Sequence, residues 1–121
     1  MTFNVDVVLR GKESAVTETA RLSTADAAAW TDADVRHVLA EILRAIERVQ
    51  NPNADRNRVV ALRGFSWIVE PNADNDVVIA IEIPMGAAVA GPFNVGQADL
   101  ESRISRIVAA DRAQVRPETV H

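Results

Sequence analysis

Residues 58–83 read RVVALRGFSWIVEPNADNDVVIAIEI, two apolar runs separated by PNADN. Asn, Asp and Pro make turns because their side chains bond nearby backbone or their rings preset it. Runs rich in Val and Ile on either side of such a turn predict an antiparallel hairpin, with strands at 58–70 and 76–83. Pairing Val69 with Val77 places Phe65, Trp67 and Val69 on the same face as Val77, Ile79 and Ile81, the register that buries the most apolar area. The opposite face then carries Gly64, Ser66, Ile68, Val78, Ala80 and Glu82, with Val60 and Leu62 further along. Two apolar faces on one hairpin require two covers, and the rest of the chain must be searched for them.

Toward the N-terminus, residues 30–50, WTDADVRHVLAEILRAIERVQ, carry the strongest helical pattern. Val35, Val38, Leu39, Ile42, Leu43, Ile46 and Val49 recur at helical spacing and form one apolar stripe. Thr31 is placed to cap this helix, Asp32 and Asp34 sit in the first turn where the helix dipole favours carboxylates, and Trp30 with Val35 has the spacing of a hydrophobic staple. Asp32 and Arg36 are spaced as an exposed ion pair, and Pro52 ends the helix. Just before it, Ser23 is expected to cap a short helical turn over TADAAAW. Earlier still, Phe3, Val5, Val7 and Leu9 alternate with Asn4, Asp6 and Arg10, the period of a half-covered strand, and Gly11-Lys12 marks a turn. Residues 15–22, AVTETARL, mix strand formers with helix formers; we read them as a second strand, with a helix as the alternative.

Toward the C-terminus, Pro84-Met85-Gly86 is expected to end the second hairpin strand, and AAVAG to cross the surface or add a short edge strand. A helix follows at roughly 97–112. It sets Leu100, Ile104, Ile107 and Val108 on one side, and Asp99 four residues before Arg103 on the other. The order strand, strand, helix, strand, strand, helix predicts an α+β two-layer sandwich. Its antiparallel sheet of about four strands would be covered on one face by two helices. Residues 1–112 form a single domain in this reading, and 113–121, without periodicity, a flexible C-terminal tail.

Composition narrows the class. At 121 residues, with 48% hydrophobic and 25% charged side chains, the chain is long enough to bury one core of aliphatic residues. No apolar run approaches the ~20 residues that span a bilayer, and the N-terminal alternation is unlike a signal peptide. We therefore expect a cytoplasmic protein without a membrane partner. The net charge of −4, with both signs interspersed, gives no basic footprint for nucleic acid. The absence of cysteine removes disulfides, thiol nucleophiles and thiolate metal sites from consideration.

Motifs that carry chemistry are incomplete. Gly86 and Gly91 have the first spacing of a phosphate-binding loop, but Pro92 and Phe93 stand where Lys and Ser or Thr are needed. The glycines at 86, 91 and 96 also lack the spacing of a dinucleotide fingerprint. Asn72, Asp74 and Asp76 alternate like the first ligands of a calcium loop. The glycine at the sixth position is missing, and Ile83 stands where a bidentate Glu belongs, so no metal is expected. His37 lies three residues after Asp34, an arrangement more common on helix surfaces than in catalysis. Ser66 lacks the G-x-S-x-G context of an activated serine. We assign no catalytic residue and no cofactor.

Glu82 is the most informative acid, because it interrupts an otherwise apolar strand. In the register above it stands across from Gly64 and beside Ser66 and Ala80, with Asp6 and Glu70 as candidates to share its face. Two functional readings follow. The first is a non-catalytic interaction or assembly module, a homodimer or larger, that uses the outer sheet face with Ile68, Val78 and Ala80 as interface, another protein being a second type of partner. The second is a small-molecule site, with enzyme activity left open, formed by Arg63, Gly64, Ser66 and Glu82. The first explains more, because a sheet covered by helices on one side should not otherwise present so much aliphatic surface to water.

Overall fold

The computed structural model describes residues 1–24, 26–53 and 60–115, the side chains of Gln114 and Val115 excepted. Strands β1 (Thr2–Leu9) and β2 (Val16–Arg21) form a hairpin, and helix α1 (Asp32–Gln50) follows. Strands β3 (Ser66–Pro71), β4 (Val77–Ile83) and β5 (Gly86–Phe93) come next, and helix α2 (Gln97–Val115) is the last element among the described residues. The five strands make one antiparallel sheet in the order β2-β1-β5-β4-β3. Helix α1 lies against β1, β2 and β5, while α2 lies against β3 and α1. The result is the expected α+β two-layer arrangement, with one strand more than anticipated. Among the described residues no helix is long and apolar enough to cross a membrane.

Local chemistry accounts for α1. The Thr31 hydroxyl accepts from the Asp34 backbone N–H, and the Asp34 carboxylate accepts from the Thr31 N–H, a reciprocal capping box that satisfies two otherwise orphaned donors. Val35, Val38, Leu39, Ile42, Ala45 and Ile46 are buried, and Leu43 and Val49 pack partly buried against the same core. On α2, Leu100, Ile104, Ile107 and Val108 are buried as their spacing predicts. Trp30 and Phe3 both meet Phe93 edge to face, with ring centroids 5.0 and 5.2 Å away, and close the core at the strand end. Residues 16–21 are a strand paired with β1. The short turn before α1 covers Ala27–Ala29 and is capped by Asp26 rather than Ser23, because the Asp26 carboxylate accepts from the Ala28 N–H.

The largest departure is β5. The stretch expected to cross the surface or add a short edge strand is an eight-residue strand in the middle of the sheet, joined to β4 by the two-residue turn Pro84-Met85. Gly and Ala have poor intrinsic strand propensity, which is why local reading passed it over. Their smallness suits the central position. Ala88 and Ala90 are buried on the helix-facing side of this strand. A Cβ at Gly86 would collide with the Val8 carbonyl oxygen and come within 3.0 Å of the Leu9 Cα. At the far end the register shifts, so that Val77 pairs with Phe93 but Ile79 with Ala90. Gly91, with φ +125°, lies within that bulge. Pro92 costs no ladder bond to β1, whose pairing with β5 ends at Ala90.

Three further expectations change. The hairpin register is Val69 with Ile79, because Pro71 remains in the strand opposite Val77 and the loop begins one residue later. Proline is tolerated there because β3 is an edge strand. The first hairpin strand starts at Ser66 rather than at 58. Gly64 adopts φ +78°, which breaks the extended run, while residues 58 and 59 lie outside the described part. Leu62 is fully buried instead of lying on the outer face, and its N–H bonds the Asp111 carboxylate at 3.1 Å instead of a neighbouring strand. Helix α2 runs to Val115, three residues past the expected end, and the remainder of the expected tail, 116–121, lies outside the described residues.

Candidate functional site

The face of the sheet opposite the helices is where the sequence-derived site residues converge. Three rows of side chains cross it. Thr17, Asp6, Val89, Ala80 and Ile68 lie side by side from β2 to β3. Val8, Ala87, Glu82 and Ser66 form the next row from β1 to β3, and Val78 pairs with Glu70 in the third. The register slip of two residues leaves every side chain on its expected face, since strand side chains alternate with period two. It does change neighbours: Glu82 stands across from Ser66, not Gly64.

This face carries an apolar patch across β3, β4 and β5, bordered by Ser66, Glu82 and Glu70, and is polar toward β2. Ile68 is 52% exposed, Val8 43% and Val89 42%, and Val78, Ala80 and Ala87 between them are half-buried. Ile68 and Val89 flank a shallow trough floored by Ala80 and Ala87. On the β2 side Asp6 accepts a 2.6 Å hydrogen bond from the Thr17 hydroxyl. Neither Ala87 nor Val89 was assigned to this face by sequence reasoning, because β5 was not recognised as the central strand.

At the Val8 end the trough opens into a hollow of ≈ 740 Å³, lined among others by Val8, Arg10, Gly64, Ser66, Glu82 and Gly86. Three of the four expected ligand residues, Gly64, Ser66 and Glu82, meet here. Arg63 does not line it; it lines a neighbouring hollow with Leu43, Ile46 and Glu47 of α1, and Gly64 borders both. Arg10 takes its place as the cation. Only the strand order, which sets the end of β1 two strands from β4, brings Arg10 to this site. Among the described residues, neither the Arg10 guanidinium nor the Glu82 carboxylate has a hydrogen-bond or ion-pair partner.

The remaining motifs are used structurally. Asn72, Asp74 and Asp76 lie in a turn closed on itself by the Asn72 N–H to Asp76 carbonyl bond at 2.7 Å, with Asp74 and Asn75 in left-handed conformation. No three His, Asp or Glu side chains among the described residues group to hold a metal ion. The glycines at 86, 91 and 96 fall in a hairpin, a bulge and the entry to α2, not in one loop. His37 is exposed. The carboxylate of Asp34 is held below its ordinary range by the Thr31 backbone N–H and then by the Thr24 hydroxyl.

Charges on the helices serve to join them. Asp32 does not pair with Arg36; it bonds Arg106 at 3.0 Å and Arg103 at 3.1 Å from α2, and the Arg106 hydrogen bond contributes most to lowering its pKa. Arg36 instead donates at 2.9 Å to Asp111, the buried acid that also receives the Leu62 N–H. Arg103 keeps its expected partner Asp99 at 3.2 Å, which raises its pKa. The Asp111 link spans 75 residues, a separation that no local pattern signals.

Comparison of the chain with protein-family models, curated proteins and solved structures finds no match in any of the three. The function must therefore be argued from the face itself.

Proposed function

We propose that this protein is a non-catalytic assembly module that self-associates, as a homodimer or larger, through the outer face of its sheet. The observation that carries the reading is the apolar patch formed by Ile68, Val8 and Val89 with Val78, Ala80 and Ala87. Alternate residues of the same strands already fill the core, and both helices are engaged on the other side. Burying such a patch is favourable at roughly 25 cal/mol per Å² of apolar surface. Neighbouring groups add little chemistry, since Ser66 and Glu82 lie side by side with no His among the lining residues. A cysteine-free chain suits a reducing compartment, and we place the module in the cytoplasm.

Sedimentation velocity tests this directly. The wild type should sediment as a dimer or larger. Val78→Glu should shift it toward monomer with the helical circular dichroism retained, because a charge at Val78 would be duplicated across a twofold axis and left desolvated without a partner. A wild type that is monomeric at high micromolar concentration overturns the assembly reading. The hollow with Arg10, Gly64, Ser66 and Glu82 then becomes the leading site, and its two opposite charges suit a small molecule that bears both.

A further inference from the structure

We propose that the partner is a second copy of this chain related by a twofold axis that runs along the strands between β4 and β5. In that packing Val89 of each copy seats over Ala80 of the other, and Arg10 of each copy reaches the other's Glu82. This placement rests on the assembly reading and goes beyond it by fixing the axis and the paired residues.

The order β2-β1-β5-β4-β3 makes the alternatives few. A twofold axis along the strands preserves each row and reverses the strand order across it, so choosing the axis chooses which strand faces which. An axis between β3 and β4 overlaps only two strands of each copy. Its projected area is on the order of 200 Å², from strands ~4.8 Å apart and ~3.3 Å per residue. That is far below the ~800 Å² per partner of a stable interface. An axis on β4 sets Glu82 against Glu82 of the other copy, and like charges facing across a desolvated interface are costly. An axis on β5 sets Ala80 over Asp6 and Glu82 over Val8. An axis across the strands through the Ala80 row sets Asp6 against Asp6.

The axis between β4 and β5 overlaps twice as much sheet as the first, keeps Glu82 away from Glu82 and Asp6 away from Asp6, and moves the apolar contact with Asp6 from the middle of the face to its rim. Four strands of each copy overlap, giving on the order of 400 Å² of projected sheet before side-chain relief is counted. Val89, which stands proud at 42% exposure, enters the trough floored by Ala80 and Ala87, a large residue over a small one on both sides. Ile68 falls at the rim over Asp6, whose carboxylate is already held by Thr17. The end of β1 lies over the start of β3 of the other copy, so Arg10 comes above the hollow lined by Gly64, Ser66 and Glu82, with Glu82 on the adjacent strand. Two charges that lack partners among the described residues of one chain thus find partners between chains, which satisfies both and makes the surface self-complementary.

Complementation between two single variants tests the axis separately from the face. In an Arg10→Glu homodimer both contacts would set carboxylate against carboxylate; in a Glu82→Arg homodimer both would set guanidinium against guanidinium. Each variant alone should self-associate about tenfold or more weakly than wild type. An equimolar mixture removes this repulsion from the mixed dimer, where one contact holds the pair of charges reversed and the other is the wild-type pair of Arg10 with Glu82, and should recover wild-type affinity to within about threefold. Non-specific attraction does not produce this recovery, because the wild-type net charge of −4 becomes −6 in Arg10→Glu and −2 in Glu82→Arg. Both positions are exposed, and thermal midpoints equal to wild type at concentrations where all are monomeric verify that the variants are folded. A monomeric wild type overturns the face and the axis together. A wild-type dimer dissociated by Val78→Glu, but with single variants as tight as wild type or a mixture that does not recover, retains the face and overturns this axis.

Discussion

Along β4, Val77, Ile79 and Ile81 are buried beneath the helices, while Val78 and Ala80 between them are half-buried on the opposite side. The same contrast crosses the sheet, with Val7 buried and Val8 exposed on β1, and Val69 buried and Ile68 exposed on β3. The two faces differ less in hydrophobicity than in cover. An antiparallel sheet with one solvated face ordinarily alternates apolar with polar. Here that alternation is kept toward β2, at Thr17, Thr19 and Asp6, and at Ser66, Glu70 and Glu82 on β3 and β4, and is broken by Ile68, Val78, Ala80, Ala87 and Val89 between them. Folding of one chain covers one face completely and leaves the apolar part of the other uncovered, which is the ground for the proposed association.

That contrast can be broken most forcefully from the buried side. Ile42 is fully buried on α1, so Ile42→Ala should destabilise the fold by about 2–5 kcal/mol through lost burial and an unfilled cavity. A denaturant midpoint unchanged by this substitution would remove α1 from its place over the sheet.

An intermediate effect is expected where the helix layer is tied together. Asp111→Ala leaves the Leu62 N–H without its acceptor and Arg36 without its partner, at a cost of about 1–3 kcal/mol. Asp111→Asn retains an acceptor oxygen and should lose measurably less in the same unfolding experiment. Equal losses for the two variants would mean that packing, not the hydrogen bond, holds the segment before β3.

The smallest effect belongs to the outer face. Val89→Ala, measured at concentrations where the chain is monomeric, should change stability by less than about 0.5 kcal/mol, as surface substitutions do. At concentrations where it associates, the same variant should weaken self-association. A large loss of monomer stability would show that the two faces are not separate in function.

Much of the architecture was legible locally. The stripe from Val35 to Val49 and the Thr31 cap specify α1, because helix period and end chemistry depend on residues three or four apart. The hairpin strands kept their faces despite a register slip of two residues, because side-chain direction repeats every second residue. The patch of Ile68, Val78 and Ala80 was thereby visible in advance. Its extension by Val89 and Ala87 was not, nor was the meeting of Arg10 with Glu82 in place of Arg63.

What the sequence by itself determined is therefore the type of each strongly periodic element and which side of it is apolar. The tertiary structure alone decided that GAAVAGPF is the central strand, that Leu62 belongs to the core, and that Asp111 joins two helices and the chain before β3. The physical reason is common to all three. Small residues are chosen for how closely other backbone approaches them, and a buried carboxylate for donors that arrive from remote segments. Neither requirement leaves a period along the chain, so both become visible only when the sheet order brings distant residues together.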